Sequence, residues 1–433
     1  MDKNDALYQN YVNILHEELV PAMGCTEPIA IAYGCAVAQK ELGELAEQVL
    51  VEASANIIKN VKSVIIPNTG GLKGIEAAAA VGIIAGKPEK DLEVIAEVDA
   101  AQREATSQYL AQGLIKVQLL ESSRIFDLVI TMRAGHRSVK LQIADRHTNI
   151  VFLQLDERIL LAIPEGDRTE TRKTDRSTLN IQQILEFADT VDLAEVAPVL
   201  ARQIAFNVAL AEAGLREDYG ANIGKVLFAR YGNDITNRAK AVTAAASDAR
   251  MGGCPLPAII NSGSGNQGLT VSLPVIEYAK EFGIDDQRLY RALIVANLCT
   301  IHQKTGIGPL SAFCGAVCAG CGAGAGVAYL LGGGYPEVAH TIVNAVAIVS
   351  GMICDGAKAS CAAKVAASVD AGLLGYYMYL EGQQFRGGDG IVTKGVENTI
   401  DNVGYLGKVG MRETDKEIIQ IMLRPSQQNQ SID

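Results

Sequence analysis

The run Gly24-Cys25-Thr26-Glu27-Pro28 holds the residue types of a thiol reaction centre. Thr26 reads as an N-cap, Pro28 falls where a helix accepts proline, and the apolar run Ile29-Ala-Ile-Ala follows. Cys25 is therefore expected at a helix N-terminus, where the macrodipole and unpaired N–H groups lower a thiol's pKa and give a nucleophile or base at neutral pH. Glu27 works against this by charge, unless it ligates or positions something. A second pair lies in Cys354-Asp-Gly-Ala-Lys-Ala-Ser-Cys361. On a straight helix these two cysteines would share a face about 10.5 Å apart, wide for neighbouring corners of one cluster. If Gly356 turns the chain, Cys354 just precedes a helix, Cys361 lies in its second turn, and both thiolates reach one iron–sulfur cubane. Two buried cysteines explain the spacing equally well. Three cysteine ligands in place of four would leave one iron open to substrate, as catalytic zinc sites keep an open position.

Cys314-Gly-Ala-Val-Cys318-Ala-Gly-Cys321 contains the C-x3-C-x2-C spacing of radical iron–sulfur enzymes. Those enzymes carry it in a loop with an aromatic residue before the last cysteine, whereas Gly320 stands there and the surroundings are helical, so Cys318 and Cys321 read as buried small hydrophobes. Gly263-Ser-Gly265-Asn266-Gln267-Gly268 matches a dinucleotide fingerprint, but a helical pattern at Gln287 replaces the acid-tipped strand that a βαβ unit needs. Such a loop still offers backbone N–H groups to a carboxylate, a reading that stands even with tight packing. Asn68-Thr69-Gly70-Gly71 takes the same two readings. Thr26, Glu27, Asn68, Thr69, Gly70, Asn266 and Gln267 are accordingly the candidate substrate-binding residues. The five histidines show no paired-ligand spacing for zinc, and no lysine has a context for pyridoxal phosphate.

These residues must be positioned by 433 residues that are 48% hydrophobic, contain 43 glycines and no tryptophan, and carry a net charge of −11. Such a chain builds large cores from small side chains, and its acidity argues against nucleic acid or an anionic membrane surface as partner. Nine cysteines behind a polar opening with no apolar leader point to a reducing cytoplasm. The uncharged stretch 307–336 is long enough to span a bilayer, but its glycines, prolines and cysteines favour a buried helix.

The expected fold class is α+β, a mixed α/β sheet domain inserted into a mainly all-α helical catalytic domain. Residues 1–45 are expected to form N-terminal helices that carry Cys25 and pack on the C-terminal domain. Short β-rich runs, largely antiparallel, with a helix at 74–86 mark an α+β domain over 46–165. A charged linker follows at 166–178, then an all-α cluster-binding domain over 179–433.

With Ser262-Gly-Ser-Gly-Asn-Gln-Gly268, His302-Gln-Lys-Thr and Leu310-Ser-Ala-Phe-Cys314-Gly added to the motifs above, the chain resembles the L-cysteine desulfidase family nearly end to end. That group is related to the iron–sulfur L-serine dehydratase α chain. The resemblance implies a [4Fe-4S] enzyme, independent of pyridoxal phosphate, that converts L-cysteine and water to pyruvate, ammonia and hydrogen sulfide. It puts the catalytic cysteine on Cys25 and the cluster ligands on Cys314, Cys354 and Cys361. The dehydratase relatives cap the open iron with a C-terminal cysteine, whereas here no cysteine follows residue 361, which tilts the expectation toward a thiol substrate. An iron–sulfur L-serine dehydratase and a non-catalytic thiol- or redox-sensing iron–sulfur protein are the alternatives. The expected partner is the amino-acid substrate, with no nucleic acid and no membrane, and a homodimer is left open.

Overall fold

Tyr8, Tyr11, Val12 and Leu15 form the buried stripe of α1 (Ala6–Glu18), capped by the Asp5 carboxylate, which accepts from the Leu7 N–H at 2.9 Å. A three-residue strand, β1 (Pro21–Met23), separates α1 from α2 (Thr26–Leu42). Cys25 itself occupies the N-cap position of α2. The computed structural model describes residues 1–164 and 174–423.

After α2 come β2 (Gln48–Ala53), α3 (Ala55–Val61), α4 (Ile75–Ala85) and α5 (Ala100–Ala111). Five strands follow: β3 (Ile115–Leu119), β4 (Asp127–Ala134), β5 (Arg137–Ala144), β6 (Ile150–Leu155) and β7 (Arg158–Ala162). They form one six-stranded sheet of order β3-β2-β4-β5-β6-β7. Every pairing is antiparallel except β2 with β3, where the chain returns through α4 and α5 and so enters parallel. Alternate residues of the central strands, such as Leu128, Ile130 and Met132 facing Val139, Leu141 and Ile143, share a core with α2 and α4. The β-rich run Ser63–Ile66 forms only an isolated bridge between Ile65 and Lys73, because Pro67 and Asn68, at φ 60°, turn the chain at once.

The rest is helical: α6 (Ile181–Thr190), α7 (Ala197–Arg216), α8 (Ile223–Tyr231), α9 (Ile235–Met251), α10 (Gly265–Glu281), α11 (Asp286–Ile307), α12 (Gly315–Leu330), α13 (Tyr335–Val349), α14 (Cys361–Leu380), α15 (Val396–Tyr405) and α16 (Arg412–Leu423). One short strand, β8 (Pro257–Ile259), interrupts them. Apart from α16, which packs on α3, these helices and α1 share a second core. The fold is therefore α+β, a sheet unit set within a helical one, as the sequence led us to expect. Of the two opening helices, α1 packs with the helical unit and α2 with the sheet.

The uncharged stretch divides between the end of α11, a loop and α12, which is buried from Ala316 to Leu330. No described helix is long and apolar enough to cross a membrane. Most of the expected linker at 166–178 lies outside the described residues. Its last part is described, and Arg176 is buried there in an ion pair with Glu18 of α1.

Candidate active site

Two small pieces of β structure bring distant cysteines to one place. β1 pairs antiparallel with β8, Pro21 opposite Ile259 and Met23 opposite Pro257, which ties the Gly24-Cys25 turn to the glycine-rich loop after β8. The Thr26 hydroxyl then donates to the Gly263 carbonyl oxygen at 3.0 Å. On the opposite wall an isolated bridge joins Phe313 to Ile353. The residues beside it are Cys314, whose N–H donates to the Met352 carbonyl at 3.1 Å, and Cys354, whose N–H donates to the Ala312 carbonyl at 2.6 Å. Gly356, at φ 91°, turns the chain against the Lys59 carbonyl of α3, where a Cβ would stand 2.3 Å away. Cys361 is the first residue of α14, one turn earlier than expected, and Cys354 lies in the loop before it.

The result is a cavity of about 960 Å³ at the seam of the two cores. It is lined by Cys25, Thr26, Glu27, Asn266, Gln267, Cys314, Cys354 and Cys361. Cys25 also packs with Val64 and Met251 in a small apolar cluster that Cys361 joins. Asn68, Thr69 and Gly70 are elsewhere: the Asn68 amide donates to the Ile95 and Ala96 carbonyls and the Thr69 hydroxyl to Ile66, so these polar groups fix a turn. Cys318 and Cys321 face the helical core, not the cavity.

The electrostatics of Cys25 reverse the expectation from its helix position. Burial and the neighbouring Glu27 carboxylate push the thiol well above its ordinary pKa. Its Sγ–H donates to Glu27 Oε2 at 2.9 Å. Burial disfavours the Glu27 carboxylate too, but His147 and the Cys25 thiol hold its pKa near 2. Asn60 Nδ2 donates to Glu27 Oε1 at 3.0 Å, and His147 Nε2 stands 3.8 Å from the same oxygen. Glu27 thus orients the thiol by accepting its hydrogen bond, the positioning that the motif alone left open.

Several cavity residues were given no role by the sequence. Arg250, near the end of α9, is 3% exposed and feels the charges of Cys25, Glu27 and Cys361. It sits in Ala-Ser-Asp-Ala-Arg-Met, where nothing marks a buried cation. Lys304, in the last turn of α11, donates to the Gly308 carbonyl, and burial lowers its pKa against the pull of Cys318, Cys354 and Cys314. Lys364 pairs with Asp355 at 2.5 Å beside Cys314 and Cys361.

Burial pushes the Cys314 thiol up to about 12 and raises that of Cys361, so both are neutral until a metal replaces the proton. Among the described residues no three His, Cys, Asp or Glu side chains stand close enough to hold one ion. A cubane asks for less, since it takes each thiolate on a separate iron. Three soft donors lining one cavity, with Lys304 and Lys364 near them to offset thiolate charge, are chemically suited to such a cluster.

Residues 89–420 match the serine dehydratase alpha chain family. The chain is 62% identical over 423 residues to a UPF0597 protein of Desulfitobacterium hafniense, covering 98% of both chains. It is 48% identical over 417 residues to a UPF0597 protein of Lachnoclostridium phytofermentans, covering 96% of this chain and 100% of that one. A UPF0597 protein of Treponema denticola is 46% identical over 430 residues, 98% of this chain and 100% of its own length.

Proposed function

This chain belongs to the serine dehydratase alpha chain family, and from that premise we propose that it is a carbon–sulfur lyase, an L-cysteine desulfidase that works without pyridoxal phosphate. L-Cysteine and water give pyruvate, ammonia and hydrogen sulfide. The observation that carries the reading is one cavity with the Cys25–Glu27 pair and, around the same space, Cys314, Cys354 and Cys361. Those three cysteines would hold a [4Fe-4S] cluster, which when bound supplies a Lewis-acidic iron for the leaving group.

The chain's own residues handle the proton. Cys25 Sγ takes the substrate α-proton while its own proton passes along the hydrogen bond to Glu27 Oε2, so no free thiolate is needed at rest. The electron pair of the Cα–H bond becomes the Cα=Cβ bond, and the Cβ–S bond breaks to release sulfide, which leaves as hydrogen sulfide once protonated. The 2-aminoacrylate left behind tautomerises to an imine and hydrolyses to pyruvate and ammonia without further help. Asn60 and His147 keep Glu27 ionised and oriented between turnovers.

The family match favours a second reading, dehydration of L-serine to pyruvate and ammonia by the same proton relay. A thiol with a pKa of about 8.5 ionises easily and suits soft iron, whereas a hydroxyl needs a separate acid. Steady-state assays on protein purified without oxygen separate the two readings. L-Cysteine is expected to give the larger kcat/KM, with sulfide and pyruvate in equal amounts. Equal or greater efficiency with L-serine would replace the desulfidase reading by the dehydratase one, and a cluster-loaded protein that turns over neither would leave the redox-sensing alternative.

A further inference from the structure

Two side chains of the cavity are buried with their polar ends unmatched. Arg250 has no carboxylate within ion-pair distance among the described residues, and its Nε lacks a hydrogen-bond partner. Gln267 is 5% exposed, and its Oε1 lacks a partner too. A buried guanidinium with no anion in contact and a buried carbonyl without a donor are both costly, so each position calls for a group that enters from outside.

Both side chains lie where glycines make room for them. A Cβ on Gly265 would stand 2.2 Å from Arg250 Nε, and a Cβ on Gly315 would stand 2.6 Å from Gln267 Cδ. Neither glycine has a positive φ, so the backbone gives no reason for a glycine at either place. Space for the two side chains does.

We propose that Arg250 and Gln267 form a head-group site for a free α-amino acid, Arg250 taking the α-carboxylate and Gln267 Oε1 the α-ammonium. The proposal rests on the lyase reading for the site's purpose and adds the residues that hold the head group, a zwitterion with both charges on one carbon. The Cys25–Glu27 pair lines the same cavity, so a head group held there presents its Cα to the proton relay.

L-Alanine, which has no leaving group, tests this without turnover. Its affinity is compared with those of propionate and ethylamine by ligand-observed NMR on the cluster-loaded protein. The wild type should bind L-alanine at least tenfold more tightly than either fragment. Arg250→Gln should bring L-alanine down to the level of ethylamine and leave ethylamine unchanged, and Gln267→Leu should bring it down to the level of propionate and leave propionate unchanged. Gly265→Ala, which keeps the charge but displaces the guanidinium, should behave like Arg250→Gln. Wild-type protein that fails to bind L-alanine, or variants that weaken all three ligands alike, would overturn the proposal. So would Arg250→Gln protein that loses the visible absorbance of the cluster and keeps its L-alanine affinity, since Arg250 would then be the cluster's counter-charge. If the expected binding pattern holds and neither L-cysteine nor L-serine is consumed, the lyase reading fails and the head-group site stands.

Discussion

A thiol and a carboxylate that share one proton in a buried place act as a single group. At rest the proton stays on Cys25, because burial and Glu27 raise the thiol while His147 and the thiol itself keep Glu27 near 2. Glu27→Gln removes the acceptor, so turnover should fall by about 10²–10⁴-fold while cluster absorbance is kept. The same substitution tests stability against acid. The folded pKa of Glu27 lies below its ordinary 4.5, so its contribution is present above that value and is lost as pH falls toward about 2. The wild type should lose stability across that window more steeply than Glu27→Gln in denaturant titrations, and equal slopes would remove the linkage. Cys25→Ala should keep the cluster and abolish turnover. Ala at 314, 354 or 361 should each remove cluster absorbance, and Ala at 318 or 321 should leave it; the opposite pattern would transfer the ligand role to the C-x3-C-x2-C run. The motif was enough to place Cys25 at a helix start, but its acidity depended on burial and on where the carboxylate points, and neither is a property of the local sequence.

Among the elements, α12 and α14 meet almost backbone to backbone. A Cβ on Gly320 would stand 2.2 Å from the Ser368 carbonyl oxygen, and one on Gly372 would stand 2.1 Å from the Gly320 carbonyl oxygen. The contact matters because α12 begins just after Cys314 and α14 begins with Cys361. Gly372→Ala must push the helices apart, so it should cost about 1–3 kcal/mol of stability and lower the iron content per chain. Unchanged iron at reduced stability would show that the cysteine spacing is set by the Phe313–Ile353 bridge alone. The apolar periodicity made most helices legible. β1 and β8, of three residues each, are too short for alternation to show, and their pairing joins segments more than 230 residues apart. Ser63–Ile66 has a β-rich composition but no room to form a ladder before Pro67.

At the scale of the molecule, the cavity exists because two cores meet there, and charge reinforces the seam. Glu17 and Glu18 end α1 in the helical unit, and Arg146 reaches Glu17 Oε1 at 2.9 Å from the loop between β5 and β6 in the sheet unit. Arg176, where the chain enters the helical unit, pairs with Glu18, stands 3.5 Å from Glu17 and donates to the Thr174 hydroxyl at 2.8 Å. Its side chain is 3% exposed and that of Glu18 is 12% exposed. Sequence placed a charged linker here, and the charges of its described end turn out to be a buried clasp; composition reads the same for either use, since only the fold supplies the facing carboxylates. Removing one partner of a buried pair costs more than the pair is worth, because it leaves the other charge in a poor solvent. Arg176→Ala should therefore lower the unfolding free energy by about 3–5 kcal/mol, whereas Arg176→Ala combined with Glu18→Gln should recover a large part of that loss. Urea unfolding of the two single variants and the double variant measures the coupling. A cost below about 1 kcal/mol for the single change, the range of an exposed pair, or simple additivity in the double variant, would mean that the seam is held by its apolar contacts and that the clasp contributes nothing to it.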